Sequence, residues 1–136
     1  MALTIEDRTA ISELISMHGH LCDEGELERL DELFTDDVVY DLTDFGLEPL
    51  VGVEAICAAA LALGEANPVG HHVTNIVLTE GDEGQVRARS KGIGINADGT
   101  SGSVTYEDTL VSTGQGWRIS HRKVVARRVP LSGRSK

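Results

Sequence analysis

From residue 71 onward the sequence alternates between four apolar, β-branched runs and short glycine-bearing connections. The runs are His71–Thr79, Gln85–Asn96, Ser101–Thr113 and Trp117–Val129. Between them lie Glu80-Gly81-Asp82-Glu83-Gly84, Ala97-Asp98-Gly99-Thr100 and Gly114-Gln115-Gly116. Runs of this kind read as strands, and connections this short join only antiparallel neighbours. The second half of the chain therefore predicts a four-strand meander. Such a sheet has an apolar face that must be covered by something else.

The first half supplies the cover. Thr4-Ile5-Glu6-Asp7 resembles a capping box with Thr4 as N-cap, and a first helix then runs to about Cys22. Its stripe is Ile11, Leu14, Ile15, His18, Leu21 and Cys22, the spacing of a core-facing helix. After a turn at Asp23-Glu24-Gly25-Glu26, a short helix carries Leu27, Leu30, Leu33 and Phe34 and ends at Thr35-Asp36-Asp37. Val38–Leu42 reads as a strand, residues 43–52 as a loop, and Val53 to about Leu63 as a third helix closed by Gly64. Three helices around one strand, then a meander, is an α+β arrangement. A strongly curved antiparallel sheet wrapped around the long N-terminal helix leaves a half-open cone, with His18 pointing into it. No repeat or linker divides the chain, so 1–136 reads as one domain with a frayed tail from Pro130.

Charge narrows the partners. The net charge of −10, from 12 basic and 22 acidic residues, argues against nucleic acid or an anionic membrane. Basic residues do crowd the end, at Arg118, Arg122, Lys123, Arg127, Arg128, Arg134 and Lys136, where they suit pairing with acidic helices or simple solubility. Cys22 and Cys57 sit in apolar helical patterns and read as reduced core thiols of a cytoplasmic protein. The start MALTIEDRTA has no signal-peptide pattern, and no apolar run approaches a membrane span. The expectation is a soluble, cytoplasmic protein. Gly92 and Gly94 in IGIN precede no helix start, so they fit a curved strand better than a phosphate loop. His18 and His20 diverge by roughly 200° on a helix, and no metal-site spacing occurs. A site without metal or cofactor is expected.

Several segments together resemble the SnoaL-like polyketide cyclase family of the nuclear-transport-factor-2-like superfamily. They are Ala10-Ile11-x-x-Leu14, Asp23, Leu30-Asp31-x-Leu33-Phe34-x-x-Asp37-Val38, Gly52-x-x-x-Ile56, His71-x-x-x-Asn75, Tyr106-x-Asp108 and Gly116-Trp117-Arg118-Ile119. The pattern is similar to the branch of scytalone dehydratase, bile acid 7α-dehydratase and hexachlorocyclohexane dehydrochlorinase. The resemblance implies the cone-shaped, cystatin-like topology and a histidine–aspartate general base. On this sequence the base falls on His71 and its aspartate on Asp23. Five residues before that aspartate those enzymes carry a tyrosine or lysine; here the position is His18.

Each candidate has a plainer reading beside it. Asp23 with Glu26 also spells a capping box for the second helix. His71 and His72 alternate across a strand, so only one faces inward. The apolar set His72, Thr74, Ile76, Leu78 favours His72, while the family pattern favours His71, which we take as the base. Tyr106 and Asp108 share a face with Leu110, which places them on the concave side. Tyr106 is either a substrate contact or a core tyrosine, and Asp108 either lines the site or pairs with Arg122. Tyr40 and Asn75 complete the expected substrate-binding set. The expectation is a cofactor-independent lyase or isomerase acting on a small hydrophobic, polyketide- or steroid-like molecule, as a homodimer. A non-catalytic ligand-binding or dimerisation module of the same fold, or a polyketide-type cyclase, is the alternative.

Overall fold

The computed structural model describes residues 2–134. The end of the expected tail, and with it Lys136 of the basic cluster, lies outside the described residues. Helix α1 spans Ile5–Asp23, and its capping box forms as the sequence predicts. Thr4 Oγ1 accepts from the Asp7 amide at 3.0 Å, while the Thr4 amide donates to Asp7 Oδ2 at 3.1 Å. A short 3-10 helix, Leu27–Glu32, leads into strand β1, Phe34–Asp41. Then come β2 (Leu50–Val51), α2 (Val53–Leu63), β3 (Gly70–Glu80), β4 (Val86–Ile95), β5 (Ser101–Thr113) and β6 (Gly116–Arg127). None of the described helices is long and apolar enough to cross a membrane.

The six strands form one sheet in the order β2-β1-β6-β5-β4-β3. β1 runs parallel to β6, and the other neighbours are antiparallel. Helix α1 packs on β3 at one edge and also on β6 well inside the sheet, so the sheet curls around it. Ile11, Ile15 and Leu21 of α1 fill the core with Leu30, Phe34, Val38, Ile56, Leu110 and Ile119. The α+β cone is thus present, with two local corrections. The expected second helix is a 3-10 helix that stops at Glu32, because Phe34 is drawn into β1 beside Ile119. Within the expected loop of residues 43–52, Leu50 and Val51 pair with Tyr40 and Val39, which satisfies backbone groups on the free edge of β1.

Two β-bulges set which side chains face inward. In β3, Thr74 pairs with Lys91 and Val77 with Arg89, so Asn75 and Ile76 share one partner position. Asn75 takes φ 58°, a left-handed conformation that asparagine tolerates better than most residues. The extra residue shifts the phase, so His71, Val73, Ile76 and Leu78 are all partly buried while His72 is exposed. In β6 the register slips between Thr109 and Leu110, whose partners are His121 and Ile119. Ser120 is skipped, which turns Arg122 inward behind Ile119.

Arg122 is completely buried, and so is the Asp108 carboxylate that binds it. Nε donates to Oδ1 at 2.8 Å and Nη2 to Oδ2 at 2.9 Å, the bidentate geometry that suits guanidinium and carboxylate. The guanidinium carbon also lies 4.2 Å from the centre of the Tyr106 ring and 5.7 Å from that of Phe34. Removing one member of a buried pair strands the other charge, typically costing about 3–5 kcal/mol. Asp108→Leu or Arg122→Met alone should therefore lower the midpoint of chemical denaturation sharply. The double variant should recover most of the loss, and a denaturation series on all three checks this.

Candidate active site

The concave face of the sheet, the C-terminal half of α1 and the inner side of α2 enclose a half-open cavity of about 470 Å³. Its wall is mostly apolar, with Leu27, Leu50, Ile56, Ala60, Leu61, Leu63 and Pro68. The polar side chains on it are His18, Cys22, Tyr40, Asn67, His71 and Tyr106.

His71 stands near the start of β3, opposite the last turn of α1. Its Nδ1 lies 2.7 Å from Asp23 Oδ1. Its backbone N–H also donates to both Asp23 oxygens, at 3.0 and 3.1 Å. One carboxylate therefore fixes main chain and ring together. An ionised carboxylate only accepts, which assigns the hydrogen to Nδ1 and leaves Nε2 with its lone pair. Among the described residues nothing hydrogen-bonds Nε2. Asp23 is not the cap of the second helix: that position belongs to Glu26, which makes no side-chain cap bond. The reason is distance along the chain, since α1 continues through Asp23 itself.

Gly19 makes the contact possible. A Cβ there would collide with the carbonyl oxygen of His71, so only glycine lets α1 approach β3 this closely. Gly92 plays the matching part across the sheet, where a side chain would overlap the Tyr106 ring. Gly19 was not among the expected site residues; its only signal is a glycine inside a strong helical stripe, where it costs up to about 1 kcal/mol relative to alanine.

His18 is 5% exposed and touches the other site rings edge-on, with centroids 5.9 Å from His71 and 5.9 Å from Tyr106. Nε2 meets the Cys22 thiol at 3.7 Å, and Nδ1 has no partner among the described residues. Burial, reinforced by the charges of Arg122 and His71, holds His18 well below the usual imidazole range. Burial, with Asp23 adding to it, pushes the Cys22 thiol up to about 11, so the thiol stays protonated and is no nucleophile at neutral pH. Tyr40 and Tyr106 are raised by burial, with Arg122 pulling the other way, and both remain hydroxyl donors.

The fold brings His18, Asp23, Tyr40, His71 and Tyr106 together, and it leaves two expected residues out. Asn75 is exposed at the β3 bulge, where its Oδ1 accepts from Thr74 Oγ1 at 3.0 Å, because the bulge turns it off the concave face. Asp108 faces the concave side but is consumed by Arg122 and does not reach the cavity wall.

A model of the SnoaL-like domain matches residues 3–123 of the chain. Among solved structures, a candidate aromatic ring hydroxylase from Novosphingobium aromaticivorans is 27% identical, with a TM-score of 0.74 and 94% of each chain covered. An NTF2-like protein with a cystatin-like fold from the same organism is also 27% identical, at a TM-score of 0.75 over 96% of this chain and 86% of that one. A candidate scytalone dehydratase, again from Novosphingobium aromaticivorans, is 20% identical at a TM-score of 0.71, with 97% of each chain covered. No curated protein sequence matches the chain.

Two outcomes are expected from this geometry. Gly19→Ala should cost about 1–3 kcal/mol by overpacking and move Asp23 away from His71. Thermal unfolding together with the ¹⁵N shifts of the His71 ring would register both effects. His18 stays neutral in the fold, whereas the unfolded chain protonates it near the ordinary value of about 6.5. Below that pH the unfolded state binds the extra proton, so stability is full above about 6.5 and falls as the pH drops. Melting temperatures measured between pH 7.5 and 5 should decline, and His18→Phe should flatten the decline.

Proposed function

The chain belongs to the SnoaL-like domain family, and from that premise we propose that it is a cofactor-independent lyase or isomerase with His71 as general base. The observation that carries the proposal is the 2.7 Å contact between Asp23 and a histidine on the wall of an apolar cavity. His71 Nε2 takes a proton from a carbon next to an activating group. The electron pair left behind expels a leaving group from the adjacent carbon, shifts a double bond, or closes a ring. Asp23 balances the imidazolium that forms and keeps the ring aimed. His18 contacts the substrate or its leaving group, while Tyr40 and Tyr106 donate hydrogen bonds to its oxygens.

An apolar wall of this size fits a small, largely hydrophobic molecule of the polyketide or steroid kind. The fold hosts varied chemistry, as the names of the similar solved structures illustrate, so the argument rests on the site rather than the scaffold. The proposal takes the chain as one domain of a cytoplasmic homodimer, joined through the outer face of the sheet where Val77 and Ile93 stand exposed. A polyketide-type cyclase would use the same base. A non-catalytic binding module would fill the same cavity without turnover.

Deuterium uptake from D₂O into a panel of cyclic ketones, enones and β-hydroxyketones, read by mass spectrometry, tests the base. At least one compound should exchange faster than in buffer, and His71→Ala should lower that rate by about 10²–10⁴-fold. Exchange in no compound, or exchange indifferent to His71, would favour the binding module.

A further inference from the structure

The convex face of the sheet carries charges that the cavity does not use. In β4, β5 and β6 the buried residues include Ala88, Ser90, Tyr106, Asp108, Arg122 and Val124, so Arg89, Glu107 and Lys123 between them point outward and are exposed. Register sets these three side by side, because Arg89 pairs with Glu107 and Glu107 with Lys123. Lys123 in turn pairs with Asp41 of β1. One row across four adjacent strands thus alternates in sign, at a spacing of about 4.8 Å. Among the described residues none of the four is in an ion pair. Asp41 engages Thr43 through Oδ1 alone, which leaves Oδ2 open.

The midline of the sheet, in the order β2-β1-β6-β5-β4-β3, falls between β6 and β5. The row is antisymmetric about that line: Glu107 mirrors Lys123, and Arg89 mirrors Asp41. A sheet curled around α1 is convex on this side, so its middle is what a partner meets first. A two-fold axis laid along the midline turns each strand onto its mirror position in the second copy, the isologous arrangement of a closed dimer. Every charge in the row then meets its opposite. The next row is Arg87, Thr109, His121 and Val39. There the same axis sets Arg87 on Val39 and Thr109 on His121, so no like charges are brought together. A depression of about 320 Å³, lined by Arg87, Arg89, Glu107, Thr109, His121 and Lys123 among others, leaves room for the long side chains of a second copy. A face of one sign would suit an anion, whereas an alternating face suits its own rotated copy.

Resting on the homodimer reading above, we infer that two copies pair through their convex faces about an axis along the seam between β5 and β6, which sets Glu107 on the partner's Lys123 and Arg89 on the partner's Asp41. Symmetry makes each of these pairs twice, so four ion pairs flank one axis. Charges so placed fix the register of an interface and penalise misaligned copies. The exposed charges of β4 to β6 are thereby the code by which this chain selects itself.

Sedimentation of the full chain in phosphate-free buffer reads the assembly. The wild type should be a dimer that weakens as salt is added. Glu107→Lys and Lys123→Glu each place like charges together twice and should weaken the dimer at least about tenfold, with circular dichroism showing the fold kept. The double variant should return to within about threefold of wild type. Its own row then no longer alternates, so cross-strand pairing inside one chain predicts no recovery. The two single variants mixed one to one should also pair, because each then meets its opposite. A trimer, a double variant as weak as the single ones, or a dimer that forms only when inorganic phosphate is added would overturn the inference. A dimer indifferent to both reversals would overturn this register alone and leave a homodimer standing. A monomer at every concentration would overturn the register and the homodimer together. Proton transfer by His71 is read separately by deuterium exchange and stands or falls on that result.

Discussion

Arg122 lies in the floor of the sheet with its charge wholly out of water, and a charge there is tolerable only when neutralised and hydrogen-bonded. Asp108 meets that requirement through two parallel bonds, and the rings of Tyr106 and Phe34 close over the pair. The arrangement has a consequence one layer up. The guanidinium opposes protonation of His18 and offsets part of the burial that keeps Tyr40 and Tyr106 protonated, so it conditions the cavity wall from behind. Charge is kept beneath the floor, and the surface that meets the ligand stays neutral except at the His71–Asp23 pair.

Helix and sheet are coupled at one place above all. Gly19 permits the close approach of α1 to β3, and Asp23, one turn later, grips His71 by both main chain and ring. The same feature that packs the helix therefore fixes the His71 ring. At the other end of α1, the Trp117 indole N–H donates to Asp7 at 3.2 Å, so the capping box is tied to β6. The helix is pinned at both ends, which holds the His71–Asp23 contact on a rigid support.

Much of this was legible in the residues. The glycine-separated runs gave strands β3 to β6 within one or two positions, and the stripe around His18 identified both the core face of α1 and the buried imidazole. The places where the reading went astray share a cause. Alternation assumes an unbroken pleat, and both bulges break it. Without the one in β3, His71 and Ile76 could not share a face, and so the apolar pattern argued for His72. Without the one in β6, Arg122 would point outward, and Asp108 looked available to a substrate. Gly19 escaped notice because helix propensity records its cost and says nothing of a carbonyl arriving from another strand.

The bulge at Asn75 also divides β3 into two segments with independent phase. The Ile76–Leu78 half packs on the hydrophobic core, and the other half, while Val73 also touches the core, carries His71 to the cavity wall. Neither must compromise for the other. A scaffold built this way can be retuned at the cavity end, by changing what surrounds His71, without reopening the question of how its interior packs. One looped-out residue thus acts as a joint between what keeps the protein folded and what lets it diversify.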